Sequence, residues 1–122
     1  MEWNIVKIDH IQICIPTGKE EEAKKFYLEL LGFKEIEKPD SLKENGGFWC
    51  KSGTVSLHIG TENMKNIKSK RHPAFKVNHL HAARAFLESY GILIQDEKPI
   101  PFVNRFSFFD PFGNRIELLE KE

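Results

Sequence analysis

Residues 8–15 have the sequence Ile-Asp-His-Ile-Gln-Ile-Cys-Ile. Isoleucines at every second position form one apolar face, while His10, Gln12 and Cys14 form the opposite face. Strict alternation of this kind predicts a β-strand that is buried on one side. We therefore expect a strand at residues 8–15 whose polar face carries His10.

A helix is predicted directly after this strand. Thr17 and Glu20 are spaced as in a capping box, in which a hydroxyl and a carboxylate satisfy free backbone donors of the first turn. Gly32 stands where a left-handed C-terminal cap is needed. Between them runs an apolar stripe with helical spacing, formed by Ala23, Phe26, Tyr27, Leu30 and Leu31. We expect the helix at about residues 18–31.

Three short strands complete the first half. They are predicted at residues 33–38, 46–51 and 54–60, with a tight hairpin turn at residues 51–53. The order of elements is therefore βαβββ. Residues 61–71 show no clean period and carry four basic side chains, so they are predicted to be a solvated linker.

The same order of elements returns in the second half. A strand at residues 72–77 precedes a helix with Asn78 as its N-cap and Gly91 at its end. The apolar stripe of this helix comprises Leu80, Ala83, Phe86, Leu87 and Tyr90. Strands are predicted at residues 92–96, 104–109 and 114–119, the last two joined by a turn that contains Pro and Gly.

The repeat predicts one α+β domain over residues 1–122. Module 1 spans about residues 1–60 and module 2 about residues 72–122, on either side of the linker. If the apolar strand faces pack on the two helices, the helices lie outside. The opposite faces then line the concave side of a curved mixed sheet.

Four potential metal ligands lie at equivalent points of the two modules. His10 and His72 stand at the first strands, and His58 and Glu117 stand on the last strands at nearly the same separation. Alternation places each of the four on the face opposite the apolar one. Three imidazoles and one carboxylate suit one divalent transition metal, such as Zn, Ni, Mn or Fe, and leave positions open to substrate.

Five further residues are candidates for contact with a substrate. Gln12 and Cys14 share the polar face of the first strand with His10. Arg105 is suited to an anionic group, while Trp49 and Phe109 are suited to pocket walls. Each has a structural alternative: a buried thiol for Cys14, a surface ion pair for Arg105, and core packing for the aromatic rings.

Composition limits the class of partner. Eighteen Lys and Arg balance eighteen Asp and Glu, which argues against binding to nucleic acid or to an anionic membrane surface. The sequence has no apolar run long enough to cross a bilayer and no secretion signal at its start, and its two cysteines are too few for a disulfide framework. We therefore expect a cytoplasmic protein with a small-molecule partner.

These motifs resemble the vicinal oxygen chelate superfamily, which includes glyoxalase I, bleomycin-resistance proteins and extradiol dioxygenases. The resemblance covers nearly the whole chain and is specific for the superfamily rather than for one activity within it. It is carried by residues 9–13 (DHIQI), 26–27 (FY), 31–33 (LGF), 57–60 (LHIG), 72–77 (HPAFKV) and 110–118 (DPFGNRIEL).

The resemblance implies paired βαβββ modules, assembly as a homodimer, and a metal held at the positions of His10, His58, His72 and Glu117. Members of the superfamily are lyases, isomerases, thiol transferases and dioxygenases whose metal chelates substrate oxygens. Glu117 would then also move a proton in catalysis. Glyoxalase I relatives usually carry Glu or Gln where this sequence has His58, which departs from their pattern. Without His58, the set matches the two-His, one-carboxylate site of iron dioxygenases.

Three functions remain open on this basis. The first is a metal-dependent enzyme that acts on a small oxygen-chelating substrate. The second is a non-catalytic drug-binding protein of the bleomycin-resistance type, with an aromatic cleft and no metal. The third is a relict domain that serves only in assembly or regulation.

Overall fold

The computed structural model describes residues 2–65 and 69–122. The chain divides into two compact units, Met1–Lys65 and Asn66–Glu122, here called unit 1 and unit 2. Residues 66–68 of the predicted linker lie outside the described residues. In the part of the chain that is described, no helix is both long enough and apolar enough to cross a membrane.

Unit 1 has a four-stranded mixed sheet in the order β1-β4-β3-β2. The first strand is parallel to the fourth, and the remaining pairs are antiparallel. A helix separates the first two strands, and a short 3-10 helix separates the second from the third. The elements are β1 (Ile11–Pro16), α1 (Glu20–Lys24) with a π-helical continuation (Lys25–Leu30), β2 (Lys34–Ile36), the 3-10 helix (Asp40–Asn45), β3 (Phe48–Ser52) and β4 (Val55–Glu62).

Unit 2 repeats this topology. Its sheet has the order β5-β8-β7-β6, again with one parallel and two antiparallel pairs. The predicted pair of βαβββ modules is therefore confirmed. The elements are β5 (Ala74–Lys76), α2 (Leu80–Ser89), β6 (Gln95–Asp96), β7 (Val103–Phe109) and β8 (Arg115–Lys121).

Each unit buries the apolar face of its sheet, as the alternation predicts. In unit 1 the buried strand residues include Ile13, Ile15, Leu57 and Ile59, and the helical segment adds Ala23, Phe26 and Tyr27. In unit 2 the corresponding residues are Phe106, Phe108, Ile116 and Leu118, with Leu80 and Leu87 from α2. The polar residues of the same strands are thereby directed to the opposite face.

The predicted capping box of the first helix is wrong. Lys19 is the N-cap residue of α1, and no side chain caps this end. The carboxylate of Glu20 instead accepts a hydrogen bond from the backbone N–H of Gly47, at 3.2 Å. The capping box assigns the Glu20 carboxylate to the start of α1, but this carboxylate binds the loop that carries Gly47 instead. The second half of this helix is π-helical, with the N–H of Leu31 bonded to the carbonyl of Phe26.

The predicted N-cap of the second helix is also wrong. His79, with a positive φ of 54°, takes the N-cap position instead of Asn78. The carboxylate of Glu120 on β8 accepts from the backbone N–H groups of His79 and Leu80, each at 3.0 Å. A carboxylate from a neighbouring strand satisfies two free donors at once, whereas a local amide oxygen satisfies one.

Strand ends and one helix face also differ from prediction. β1 begins at Ile11 rather than at residue 8, so His10 lies before the strand that was predicted to carry it. β5 begins at Ala74 because Pro73 has no backbone N–H to pair, and β4 extends through Glu62 into the predicted linker. On α2, Phe86 and Tyr90 are 45% and 66% exposed instead of buried. Their rings contact each other with centroids 5.0 Å apart. The last turn of the helix therefore lies partly outside the core of unit 2.

Candidate functional site

Three rings stack on the polar face of the unit 1 sheet. The His58 ring lies between Trp49 and His10, with ring centroids 3.8 Å and 3.9 Å away. The angles between the ring planes are 5° and 16°, so all three rings are nearly parallel. His58 is only 8% exposed, while the His10 side chain is 41% exposed. His10 therefore presents the open end of the stack.

Strand register explains this stack. His58 on β4 lies directly opposite Gln12 on one side and Trp49 on the other. His10 lies just before β1, and its stacking on His58 shows that its ring lies on the same side of the sheet. Burial lowers the pKa of His58, and the neighbouring His10 lowers it further.

Asp9 orients the His10 ring. Its carboxylate Oδ2 lies 2.8 Å from His10 Nδ1. A carboxylate only accepts hydrogen bonds, so Nδ1 carries the proton and Nε2 is the nitrogen left to bind a metal. The same hydrogen bond lowers the pKa of Asp9.

A cleft of about 680 Å³ lies beside this stack, entirely within unit 1. Gly46 and Leu42 bring the 3-10 segment to the cleft, and Lys38 Nζ donates to the carbonyl of Gly46 at 2.5 Å. Its walls combine apolar surface with polar groups. They include Ile36, Leu42 and Trp49 together with Asp9, His10, Gln12, Lys38, Asn45, Ser56, His58 and Thr61.

Unit 2 carries a charged cluster at the equivalent position. Glu117 on β8 lies opposite Ala74 and Ser107, and it is 5% exposed. Its Oε1 is 3.4 Å from His72 Nε2 and accepts a hydrogen bond from Arg105 Nη1 at 3.1 Å. His72 and Glu117 thus lie side by side in unit 2, as His10 and His58 do in unit 1.

His72 has the same tautomer as His10. Its Nδ1 lies 2.8 Å from the backbone carbonyl of Lys70. A carbonyl only accepts, so Nδ1 carries the proton and Nε2, which faces Glu117, remains for a ligand. An oxygen acceptor on the second ring nitrogen is the arrangement that metal-binding histidines almost always have.

Arg105 links Glu117 to the β6–β7 connection. Its Nη2 donates to the carbonyl of Lys98 at 2.8 Å, while its buried Nε has no partner among the described residues. Nearby, Glu97 accepts hydrogen bonds from Ser107 Oγ, at 2.6 Å, and from Arg115. The Ser107 hydrogen bond, followed by that of Arg115, lowers the pKa of Glu97. This side of unit 2 is therefore a network of paired charges.

The donor set fits a divalent transition metal. Each unit supplies a histidine whose tautomer leaves Nε2 free, and unit 2 adds a carboxylate oxygen beside it. Within residues 2–65 and 69–122, no group of three or more His, Cys, Asp and Glu side chains is assembled for a metal. The convergence of all four predicted ligands therefore stays a prediction, and each unit contains one pair of them.

The predicted substrate-contacting residues fall into three groups. Gln12 and Trp49 line the unit 1 cleft beside two predicted ligands. Arg105 lines a second cleft of about 500 Å³ within unit 2 and forms an ion pair with Glu117. Cys14 and Phe109 are half-buried and line neither of these clefts. Burial raises the pKa of the Cys14 thiol.

Sequence reasoning missed several residues of the site. Asp9 belongs to the motif that identifies His10, so its position gave a usable signal. Leu42 and Asn45 come from a segment for which no element was predicted, and Lys38 is the last residue of the strand predicted at residues 33–38, which the structure ends at Ile36. Nothing local indicates that these residues reach the cleft. The folding of the 3-10 segment onto the sheet brings Leu42 and Asn45 there.

A family model described as the Glyoxalase/Bleomycin resistance protein/Dioxygenase superfamily matches residues 7–118. The chain belongs to this superfamily. The match includes all four predicted metal ligands and both modules. No protein of curated function matches the sequence.

Solved structures of the superfamily share the fold of this chain. A Bacillus anthracis protein described as a glyoxalase family protein is 44% identical, with 100% of each chain covered and a TM-score of 0.93. A glyoxalase family protein from Enterococcus faecalis is 29% identical, with 93% and 97% coverage and a TM-score of 0.75. TnmS3, an antibiotic binding protein from Streptomyces sp., is 22% identical, with 99% and 100% coverage and a TM-score of 0.74. This last likeness concerns the fold alone.

Proposed function

We propose that this superfamily member is a metal-dependent enzyme acting on a small molecule that chelates the metal through oxygens. The observation that carries the proposal is that Nδ1 of His10 and Nδ1 of His72 each lie 2.8 Å from an oxygen acceptor, which assigns the same tautomer to both rings. Two histidines prepared in the same way, at equivalent points of a repeat, fit a shared role as ligands. Glu117 supplies the carboxylate of the set.

Each residue has a defined task in this proposal. His10, His72 and Glu117 hold the metal, with His58 as the fourth position indicated by the sequence. A bound divalent metal polarises substrate oxygens and stabilises negative charge that develops on them. Arg105 neutralises Glu117 and would pair with an anionic substrate group. Glu117 moves a proton in lyase, isomerase, thiol-transfer or dioxygenase chemistry.

Metal content tests this function. The chain, purified without a His tag and loaded with Zn, Ni, Mn or Fe, should retain about one metal ion per chain, measured by inductively coupled plasma mass spectrometry. His72→Ala and Glu117→Ala should lose it. His81→Ala is the matched control, because His81 is exposed on α2 of the same unit. Wild-type protein that takes up none of these metals would remove the proposal.

A drug-binding protein without metal is the second candidate, favoured by the unit 1 cleft. Its volume of about 680 Å³ lies within the range of small-molecule sites, and Trp49, Ile36 and Leu42 give it apolar walls. Titration of the metal-free Trp3→Phe variant with bleomycin, followed by Trp49 emission, tests this candidate. Saturable quenching that EDTA does not change, together with absence of metal uptake, would favour it over the enzyme.

The oligomeric state and the cellular location are also predicted. The resemblance to the superfamily predicts a homodimer, and we propose a cytoplasmic location. Sedimentation velocity on metal-free and metal-loaded protein tests the first prediction. A result in which the chain stays monomeric in both states would refute it.

A further inference from the structure

We propose that His58 is a positioning residue that holds the His10 ring for metal binding, and that it is not the fourth ligand. This inference rests on the proposed metal site and refines its ligand set. It is carried by the geometry of the ring stack in unit 1, which does not involve unit 2. The sequence assigns His58 to the metal because it lies at the position equivalent to Glu117.

Parallel stacking prevents His10 and His58 from sharing a metal. An imidazole binds a metal through a nitrogen lone pair that lies in the ring plane, at about 2.0–2.1 Å for zinc. The two rings are 16° from parallel with centroids 3.9 Å apart. A metal in the plane of one ring therefore lies well outside the plane of the other. Only one of the two histidines can bind it in this arrangement.

Exposure and contacts decide which of the two histidines is the ligand. His58 is 8% exposed and is covered on one face by Trp49 and on the other by His10. His10 ends the stack, and its side chain is 41% exposed. The nitrogen edge of His58 is therefore less accessible to a metal than that of His10, whose Nε2 is left open by the hydrogen bond at Nδ1.

The contacts of His10 determine the direction of its free nitrogen. Stacking on His58 fixes the plane of the His10 ring, and in this plane Nδ1 meets the Asp9 carboxylate, whose hydrogen bond fixes which nitrogen carries the proton. Together they leave the His10 ring with one tautomer and one plane, and so with one direction for Nε2. Asp9 is 89% exposed at its side chain, so its hydrogen bond competes with water. His58, at 8% exposure, is thus the more buried of the two supports.

Two substitutions separate positioning from ligation. His58→Phe keeps a flat ring between Trp49 and His10 but removes both nitrogens, whereas His58→Ala removes the ring. A positioning role predicts that His58→Phe keeps the metal stoichiometry and an affinity close to wild type, measured by competition with a chelator. His58→Ala should keep the stoichiometry but bind about tenfold more weakly, the lower end of the effect of removing support from a ligand.

A readout without metal keeps this inference separate from the proposed function. Long-range ¹H–¹⁵N correlation spectra report which ring nitrogen of His10 is protonated, and His10→Gln assigns the signal. The Nδ1–H tautomer should dominate in wild type and His58→Phe, and His58→Ala should shift the ratio toward a mixture. The Trp49 emission of the same variants, in a Trp3→Phe background, reports whether the stack forms in solution.

The outcomes are distinguishable. Loss of metal in His58→Phe, equal to that in Glu117→Ala, would make His58 a ligand and overturn the inference. Unchanged affinity and an unchanged His10 tautomer in His58→Ala would remove the positioning role. If wild type takes up no metal, the proposed function fails. The tautomer ratio then decides the inference alone: a shift in His58→Ala that His58→Phe restores supports it, and no shift overturns it.

Discussion

The last strands of the two units carry equivalent residues with opposite physical character. His58 on β4 lies between Gln12 and Trp49, while Glu117 on β8 lies between Ala74 and Ser107. The registers correspond, but the partners differ, because unit 1 surrounds its residue with rings and unit 2 surrounds it with charges. The repeat therefore determines where a side chain is placed, and the neighbouring residues determine what it does there.

This difference has an energetic consequence. Aromatic rings can be buried against one another without leaving a charge unpaired. A buried carboxylate requires a cation or several donors, and the Arg105 guanidinium provides this for Glu117. Loss of Glu117 should therefore lower the stability of unit 2 more than loss of His58 lowers the stability of unit 1.

The largest expected effect comes from Glu117→Ala in metal-free protein. It leaves the guanidinium of Arg105, which is 18% exposed, without its carboxylate and should lower the free energy of unfolding by about 3 kcal/mol. His58→Ala should cost about 1.5 kcal/mol through lost ring contacts. Urea unfolding followed by far-ultraviolet circular dichroism measures both. Equal losses in the two variants would contradict the difference between the units.

Gly47→Ala should have the next largest effect and acts on unit 1. Gly47 has a φ of +76°, and an added Cβ would lie 1.9 Å from the carbonyl oxygen of Ile59. Positive φ and this clash should together cost about 2 kcal/mol in unfolding free energy. Trp3 and Trp49 both belong to unit 1, so tryptophan emission during urea unfolding follows this change.

Gly53→Ala is the matched control for that substitution. Gly53 also has a positive φ, +57°, but an added Cβ would meet no atom within 4 Å. The cost should therefore be about 1 kcal/mol, from backbone conformation alone. If Gly53→Ala costs as much as Gly47→Ala, contact with Ile59 does not hold the 3-10 segment in place.

Glu120→Gln should produce a smaller, pH-dependent effect on unit 2. Hydrogen bonds from the backbone of Leu80, then of His79, lower the pKa of Glu120 from its usual 4.5. A carboxyl with a lowered folded-state pKa stabilises the fold above the unfolded value and loses that contribution as the pH falls through the folded value. Wild type should thus lose more stability than Glu120→Gln as the pH falls below 4.5.

Urea midpoints measured between neutral and acidic pH test this expectation. Asn78→Ala is the matched control, because Asn78 takes no part in the cap. It should leave the pH dependence unchanged. Parallel curves for wild type and Glu120→Gln would mean that the carboxylate does not support the start of α2.

The smallest expected effect concerns the reactivity of the two thiols, Cys14 and Cys50, which both belong to unit 1. Burial, followed by the nearby Glu35, raises the pKa of Cys50 to about 12. Because the thiolate is the reactive form, Cys50 should resist Ellman's reagent at pH 8 until urea opens unit 1. Cys14 is half-buried and should react first, although slowly. A Cys14→Ser variant that still reacts at once in native buffer would contradict the burial of Cys50.

The repeat made much of the fold predictable. Alternation over residues 8–15 and the second apolar stripe locate the modules, and the family match confirms them. The helix starts were not predictable, because Glu20 and Glu120 accept hydrogen bonds from backbone N–H groups that are distant in the sequence. Glu20 binds Gly47, and Glu120 binds Leu80. The exposed Phe86 and Tyr90 show a related limit, since an apolar stripe predicts a buried face but not how far the core extends along it.

The candidate site was also predictable only in part. The sequence by itself determined which residues carry nitrogen and oxygen donors and that they recur in two modules. For His58 and Glu117, which lie within strands, it also determined that alternation directs them away from the apolar faces. Tertiary structure decided their contacts: the ring stack that covers His58, the Asp9 and Lys70 acceptors that fix the two tautomers, and the Arg105 that neutralises Glu117. The physical reason is the separation in sequence over which each effect acts. Alternation acts between adjacent residues, whereas stacking, tautomer choice and ion pairing depend on groups that folding brings together.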